Sequence, residues 1–184
     1  YNMNYYIADT HFGHENVIKF SKRPFGDVEE MDKFIMDAWN EVVGKDDDIY
    51  ILGDLVYRSN KSYSYYLSKL SGKKHLIVGN HDRAMLKDKE AMSYFESVED
   101  LTMIHDDGIK IVLCHYPLLE WSGFYRNSYH IHGHIHNIHN EAFATLRNME
   151  RALNAGAEII NYTPCSFKEL MKYNEIFKIG GIKA

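Results

Sequence analysis

Five short apolar runs that read as β-strands each end in a polar cluster, and this pattern limits the folds open to the chain. Helical segments lie between the first of these strands, as in α/β proteins, where parallel strands need long crossover connections. Asp27 to Val43 carries apolar residues at helical spacing behind a capping residue. Ser166 and Glu169 form a capping box ahead of a last helix that runs to about Phe177. The chain therefore predicts an α/β protein in which helices cover a mixed sheet system.

The remaining elements follow from strand and turn signals. The predicted strands are Asn4 to Ala8, Asp48 to Leu52, His75 to Val78, Val98 to Ile104, Ile109 to Leu113 and Tyr129 to His132, with one or two more between Arg151 and Ile160. Further helices are predicted at Tyr63 to Leu70 and at Ala84 to Phe95. Asp107 and Gly108 stand between two strands as a hairpin signal. With no repeats and no linker, we expect one domain over residues 1–184.

Composition excludes several classes of protein. A chain with 45% hydrophobic and 26% charged residues is neither disordered nor collagen-like. Its 21 Lys and Arg against 26 Asp and Glu give a formal charge of −5, which disfavours binding to long DNA. No apolar run approaches the ~20 residues that a membrane span requires. Tyr1 and Asn2, ahead of Met3, are interpreted as added residues before a native start.

Cysteine usage indicates the compartment. Cys114 and Cys165 lie far apart and form no metal-binding or disulfide pattern, so we interpret them as small buried residues in a reducing environment. Asp9, the first residue of chemical interest, lies too near the start for a signal peptide to precede it. We therefore expect a cytoplasmic protein. The oligomeric state is left open.

The polar clusters contain residues suited to binding metal ions. They are Asp9-Thr10-His11, Gly53-Asp54, Gly79-Asn80-His81-Asp82, His115 and Gly133-His134-Ile135-His136. Because sites in α/β sheets form at the carboxyl ends of strands, we expect these clusters to meet. Imidazole and carboxylate groups suit Mn, Fe, Zn, Co or Ni, and the set contains no Cys of a structural zinc site. The number of ligands exceeds the need of one ion and fits two ions that share a carboxylate.

In this order the clusters resemble the signature of the calcineurin-like metallophosphoesterases, which runs D-x-H, G-D, G-N-H-[DE], H and G-H-x-H. The resemblance spans residues 5 to about 160. It implies a four-layer αββα sandwich, with two mixed sheets flanked by helices. It also implies a hydrolase of phosphate esters that holds two divalent transition-metal ions, with manganese favoured.

The resemblance also implies the metal ligands. The first ion would be held by Asp9, His11, Asp54 and His136, and the second by Asp54, Asn80, His115 and His134. Asp54 would bridge the ions, together with a water or hydroxide that attacks phosphorus. On a regular strand His134 and His136 would point in opposite directions, so both reach the ions only if the turn is irregular, which Gly133 would permit.

Four more residues are candidates for catalysis or substrate binding. By the resemblance, His81 is the expected general acid, which protonates the leaving oxygen. Asp82 would orient and charge-stabilise His81, or else only cap the turn. His14 would contact the substrate phosphate or cap the segment that follows it. Arg23 would contact the phosphate through its planar guanidinium, or else form a surface salt bridge.

Differences from other branches of the family reduce the number of substrate classes to consider. The protein phosphatases carry G-D-x-x-D-R-G, whereas this chain has no second Asp between Gly53 and Ser59. The sequence looks like the small bacterial and phage phosphoesterases, which favours a phosphodiesterase that acts on a small or nucleotide-like substrate. Two alternatives stay open. One is a catalytically silent binding or scaffold module, and the other is a small single-strand nuclease with aromatic stacking platforms.

Overall fold

The computed structural model describes residues 2–184, so the interpretation of Tyr1 falls outside the described residues. The strands are β1 (Asn4–Ile7), β2 (Asp48–Ile51), β3 (Lys73–Ile77), β4 (Phe95–Glu99), β5 (Leu101–Asp106), β6 (Ile109–Cys114), β7 (Tyr129–His132) and β8 (Ala152–Asn154). The α-helices are α1 (Glu15–Phe20), α2 (Val28–Val42), α3 (Tyr63–Leu67), α4 (Lys89–Met92), α5 (Glu141–Leu146) and α6 (Phe167–Lys178). Single turns of 3₁₀-helix lie at Met85–Lys87 and Phe124–Arg126.

The strands form two four-stranded sheets between helices, which is the αββα sandwich expected from the sequence. The first sheet has the order β1-β2-β3-β4 and is parallel throughout. Only the second, β5-β6-β7-β8, is mixed, because β5 and β6 form an antiparallel hairpin. The Tyr6 hydroxyl of β1 donates to Asp106 Oδ2 of β5 at 2.6 Å and so links the two sheets.

Backbone hydrogen bonds also join the sheets where β1 ends. Ala8 N donates to the Ala155 carbonyl at 2.8 Å, and Ala157 N donates to the Ala8 carbonyl at 2.9 Å. The pairing is parallel, so the segment after β8 runs in the same direction as β1. The carboxyl ends of β1, β2 and β3 therefore lie at the same edge of the molecule as those of β6, β7 and β8.

The two long helices form where the sequence predicts them. Asp27 caps α2 by accepting from Glu30 N at 2.8 Å, and Ser166 opens α6 with a full capping box. The buried stripe of α2 passes through Trp39, whereas Val42, placed on that stripe by its spacing, is exposed. In the part of the chain that the structure describes, no helix is both long and apolar enough to cross a membrane.

The prediction of one strand from Val98 to Ile104 is wrong. The chain bends at Asp100, so that β4 ends the first sheet and β5 begins the second. The predicted helix at Ala84 to Phe95 is reduced to a 3₁₀ turn and the one-turn α4. The hairpin signal is confirmed, since Asp107 and Gly108 both have positive φ, at 50° and 79°.

His130 lies in the core, and its two hydrogen bonds require the neutral form of the ring. Its Nδ1 lies 2.9 Å from the Val112 carbonyl oxygen, to which it donates, and its Nε2 accepts from Leu118 N at 3.1 Å. The residue is fully buried, and burial lowers its pKa to about 4. An imidazolium could not accept from Leu118 N, so protonation removes one of the two hydrogen bonds.

We therefore expect His130 to make the fold acid-sensitive. Because its pKa is lower in the folded than in the unfolded chain, its contribution is complete above about pH 6.5 and is lost as the pH falls toward 4. Between pH 7 and pH 5 this amounts to about 2 kcal/mol of unfolding free energy. Urea unfolding at both pH values should show this loss in the wild type, and His130→Gln should reduce it by that amount. An unchanged pH dependence in His130→Gln would contradict the assignment.

Candidate active site

The polar clusters meet at the shared edge of the two sheets, as the sequence predicts. Asp9 Oδ1 lies 3.9 Å from both His11 Nε2 and His136 Nε2. Asp54 Oδ2 lies 3.6 Å from His11 Nε2 and 3.5 Å from His115 Nε2. The ligand atoms of Asp9, His11 and His136 form one group within 4.8 Å of one another, and those of Asp9, Asp54 and His115 form a second. Asp54 thus lies between His11 and His115, while Asp9 belongs to both groups.

The chemistry of these atoms fits a divalent ion. Asp9 Oδ1 and His11 Nε2 are buried and have no hydrogen-bond partner among residues 2–184. A buried polar atom without a partner is expensive, and a cation between the two atoms would satisfy both. Imidazole nitrogen and carboxylate oxygen are donors that manganese, iron, cobalt and zinc accept. The site can therefore hold metal ions of this kind.

Hydrogen bonds on the far side of the imidazoles set their orientation. His115 Nδ1 lies 2.6 Å from the Leu52 carbonyl oxygen, and His136 Nδ1 lies 3.1 Å from Glu158 Oε2. In each case Nδ1 donates, so Nε2 faces the centre of the site and can bind a metal ion once it has lost its proton. Both rings therefore present the nitrogen that a metal ion would need.

The backbone of the site is strained. Five predicted ligands have positive φ, a conformation that residues other than glycine seldom adopt: Asp9 (55°), His11 (52°), Asp54 (53°), His134 (74°) and His136 (52°). Such strain persists only where the surrounding structure enforces it, and it is concentrated at functional sites. Its concentration on these residues supports their assignment to a site.

The irregular turn near Gly133 is present, but its cause differs from the one predicted. His134 and His136 themselves adopt the left-handed conformation. Gly133 is needed for space, because a Cβ there would lie 2.6 Å from Asp9 Oδ2. The same carboxylate oxygen accepts from His134 N at 2.8 Å. The turn is therefore packed directly on the Asp9 side chain.

The residues predicted for a second ion form a more open group. Asn80 Oδ1 lies 3.0 Å from His115 Nε2, and the His134 ring centre lies 5.2 Å from that of His115. Asn80 and His134 are exposed, whereas Asp9, His11 and His136 are buried. The site thus has a buried side and a solvent-facing side.

Electrostatics couple the carboxylates to the imidazoles. Burial by itself raises the pKa of Asp54, but the imidazoles of His11 and His115 outweigh it and hold that pKa well below its usual range. Burial lowers the pKa of His115, but the Asp54 carboxylate reverses this and raises it to about 9. The pKa of Asp9 is raised by its complete burial. A bound cation would favour the ionised form of both carboxylates.

Asp82 does not orient the His81 ring. Its carboxylate accepts three backbone hydrogen bonds, from Gly79 N at 2.7 Å, Asp54 N at 2.8 Å and Leu55 N at 3.2 Å. No hydrogen bond to the His81 imidazole is found within the described chain, so that predicted role is wrong. The turn-cap alternative agrees better with the structure, because Asp82 accepts from Gly79 N within its own turn. Asp82 also bonds this turn to the neighbouring loop that carries Asp54.

His81 itself lies beside the site. Its backbone N donates to Asp54 Oδ1 at 2.9 Å, and its ring is half-buried against Tyr57, with ring centres 3.8 Å apart. The Tyr57 ring also contacts that of His14 at 4.8 Å. Sequence reasoning did not assign a role to Tyr57, which belongs to no cluster and is simply the third residue after Asp54.

The prediction that Arg23 binds substrate phosphate is wrong, and so is the surface salt bridge. Arg23 is buried, and its Nε and Nη2 donate to Glu158 Oε2 at 2.8 and 2.6 Å. Its Nη1 donates to the Thr10 carbonyl at 2.7 Å and its Nη2 to the Asp9 carbonyl at 2.6 Å. Each guanidinium nitrogen is therefore already engaged inside the protein.

Glu158 was missed by the motif search. Its carboxylate joins Arg23 to His136, and these partners outweigh burial and hold its pKa below the usual range. One sequence signal could have found it: Glu158 is the single charged residue in the otherwise apolar run from Ala155 to Ile160. A charged residue in a buried run needs a partner of opposite charge. That signal marks Glu158 as paired but does not say with what.

His14 occupies the N-cap position of α1, yet within the described part of the chain its side chain makes no capping hydrogen bond, so the capping alternative is wrong. Its Nδ1 lies 3.1 Å from His11 Nδ1. Burial lowers the pKa of His14 to about 4, which leaves the neutral ring that can accept a hydrogen bond from His11 Nδ1. His14 therefore supports a predicted metal ligand, and contact with a substrate stays a prediction.

Comparison with known proteins agrees with the fold and shows the family. The family model "Calcineurin-like phosphoesterase" matches residues 5–155, so the chain belongs to this family of hydrolases, which act on phosphoric esters. A solved structure of a protein of unknown function from Aquifex aeolicus has a TM-score of 0.72 and 32% identity, with 94% of this chain and 99% of that chain covered.

Relatives are also found by sequence. An uncharacterized protein of Methanocaldococcus jannaschii is 35% identical over 181 residues, covering 95% of this chain and 93% of that protein. The gene 66 protein of Mycobacterium phage L5 is 41% identical over 81 residues, or 42% of this chain and 39% of the phage protein.

We expect divalent ions to stabilise the fold. At about 100 times its Kd, an ion that binds only the folded chain adds about 2.7 kcal/mol, which raises the unfolding midpoint by several degrees. Thermal unfolding with Mn²⁺ and with a chelator would measure this shift. Asp54→Asn, which keeps the shape but removes the charge, should lose most of it. A wild-type midpoint that no Mn²⁺ concentration moves would contradict the metal site.

Proposed function

We propose that the protein is a metal-dependent phosphodiesterase that acts on a small or nucleotide-like substrate. In this proposal the first ion is held by Asp9, His11, Asp54 and His136, and the second by Asp54, Asn80, His115 and His134, with manganese as the favoured metal. The unpartnered atoms of Asp9 and His11 and the position of Asp54 between His11 and His115 support these assignments.

Two aromatic rings beside different ligands of the site are the observation that supports a diester substrate. The Phe20 ring lies 5.3 Å from that of His136, and the Tyr116 ring lies 4.8 Å from that of His134. Both are half-exposed, at 44% and 45%. A diester has two organic substituents, and each would find an aromatic surface on its own side. A flat substituent such as a nucleobase suits such surfaces best.

The chain's own residues supply the rest of the chemistry. When bound, the two ions would activate a water molecule as nucleophile and neutralise the phosphoryl oxygens. His81 lies next to Asp54 and is restrained by the Tyr57 ring, so its imidazole can donate a proton to the leaving ester oxygen. Asp82 fixes the turn that carries His81 through its three backbone hydrogen bonds.

The two alternatives differ in their support. A silent scaffold would not need the complete set of ligands together with His81, and all of these are present. A small single-strand nuclease would use the same aromatic surfaces, so Phe20 and Tyr116 are compatible with it. The length of the substrate distinguishes a nuclease from an enzyme that cleaves a free nucleotide diester.

The first test compares two chromogenic esters. With Mn²⁺ present, we expect kcat/KM for bis-p-nitrophenyl phosphate to exceed that for p-nitrophenyl phosphate by about tenfold or more, which is ~1.4 kcal/mol. A chelator should abolish both activities. A preference for the monoester would overturn the diester assignment. Cleavage of single-stranded oligonucleotides, but not of nucleotide diesters, would favour the nuclease.

The second test concerns His81. We expect His81→Ala to lose about 10²- to 10⁴-fold in rate on diesters with alkoxide leaving groups, which need a proton. The loss on p-nitrophenyl esters should be small, because p-nitrophenolate leaves without one. His105→Ala removes an exposed histidine on β5 and serves as the control. Equal losses on both kinds of ester would rule out the general-acid role.

A further inference from the structure

We propose that Glu158 is a positioning residue of the metal site, held in place by Arg23, and that it fixes His136 as a ligand of the first ion. This inference rests on the metal site of the proposed function. It assigns a role to two buried charged residues that lie outside the sequence motifs and outside the proposed proton transfer. The chemical class of ligand that they serve is a divalent transition-metal ion.

One carboxylate oxygen makes the connection. Glu158 Oε2 accepts from Arg23 Nε at 2.8 Å, from Arg23 Nη2 at 2.6 Å and from His136 Nδ1 at 3.1 Å. The side chains of Arg23 and Glu158 are completely buried, and that of His136 nearly so. Because water does not compete there, these contacts fix both the rotation and the tautomer of the His136 ring. The ring then presents Nε2 to Asp9 Oδ1, 3.9 Å away.

Arg23 acts on a second ligand through the backbone. Its Nη2 donates to the Asp9 carbonyl at 2.6 Å, and its Nη1 donates to the Thr10 carbonyl at 2.7 Å. Asp9 has a φ of 55°, so its peptide is held in a conformation that needs outside support. A single guanidinium therefore fixes Asp9 through its backbone and His136 through Glu158.

Through Glu158 and the Asp9 carbonyl, Arg23 reaches proposed ligands of the first ion only. Of the proposed ligands of the second ion, His115 is oriented by the Leu52 carbonyl at 2.6 Å, and no charged residue among 2–184 bonds to its Nδ1. Asp54 is shared by both ions and is held through its backbone N by Asp82. Loss of Glu158 should therefore weaken one ion much more than the other.

A purely structural ion pair predicts a different outcome. Buried ion pairs contribute little net stability, because the desolvation of both charges offsets their attraction. Glu158 also leaves its Oε1 buried without a partner among the described residues, which is unfavourable for a group that serves stability alone. If the pair were only structural, its loss would lower the unfolding free energy and leave the ratio of the two metal affinities unchanged.

The test measures metal binding directly. Metal-free wild type, Glu158→Gln and Arg23→Lys are titrated with Mn²⁺ by calorimetry, and the bound ions are followed by electron paramagnetic resonance. Glu158→Gln keeps the shape of the side chain but removes its charge. Arg23→Lys keeps the charge but loses the planar guanidinium that donates to Glu158, Asp9 and Thr10. Should Glu158→Gln fail to fold, Arg23→Lys carries the test.

The expected result is selective. Wild type should bind two ions with the signal of a coupled pair. Either variant should bind one ion as tightly as wild type and the other about 10- to 100-fold more weakly, with the signal of an isolated Mn²⁺ at low occupancy. Tyr6→Phe removes a buried hydrogen bond to Asp106 elsewhere in the fold and should lose stability while retaining both ions.

Three results would overturn the inference. If both variants bind two ions as tightly as wild type, Glu158 is not a positioning residue, although the proposed function stands. The same conclusion follows if both ions are weakened equally. If the wild type itself binds no ion, the proposed function and the inference fail together.

Discussion

The site depends on the backbone pairing that joins the end of β1 to the segment after β8. Ala8 uses its N–H and its carbonyl to pair with residues 155 and 157, while Asp9 N donates to the Gly53 carbonyl in the first sheet. One short stretch of chain thus belongs to both sheets. Because the pairing is parallel, it places the carboxyl ends of both sets of parallel strands at one edge. The metal-binding residues come from both sheets and can meet only there.

Buried charges hold this edge together. Five predicted ligands have left-handed backbone conformations, each of which costs about 1 kcal/mol or more. Asp82 offsets this cost on one side by accepting the N–H groups of Gly79, Asp54 and Leu55. Arg23 does so on the other side by donating to the Asp9 and Thr10 carbonyls. Arg23 was predicted to bind substrate or to form a surface salt bridge, and Asp82 to act on His81 or to cap its turn. Both instead stabilise the backbone that carries the ligands.

Local patterns in the sequence were enough to predict most elements and to select the candidate ligands that the structure brings together. The aromatic and β-branched run of β1, the caps of α2 and α6 and the Asp107-Gly108 turn are encoded within a few residues, and each is present. The five clusters could be collected because each follows its own strand.

The partners of buried charges could not be predicted in this way. Arg23 and Glu158 are 135 residues apart, and nothing near either one specifies the other. The sequence did not predict the break between β4 and β5 at Asp100, for a related reason. An apolar run that passes from one sheet into the other keeps its strand-like composition, and only the tertiary structure shows where it changes sheets.

The two proposed ion sites differ in construction, and the difference bears on how each would behave. The ligands proposed for the first ion alone, Asp9, His11 and His136, are buried. Two of them are fixed by the Arg23 and Glu158 charges. Of those proposed for the second alone, Asn80 and His134 face solvent, and the His134 ring lies beside that of Tyr116. An ion enclosed by charged, dry partners exchanges slowly, because its release would leave buried charges unpaired. Because two ligands proposed for the second ion face solvent, removal of metal by a chelator should begin on that side.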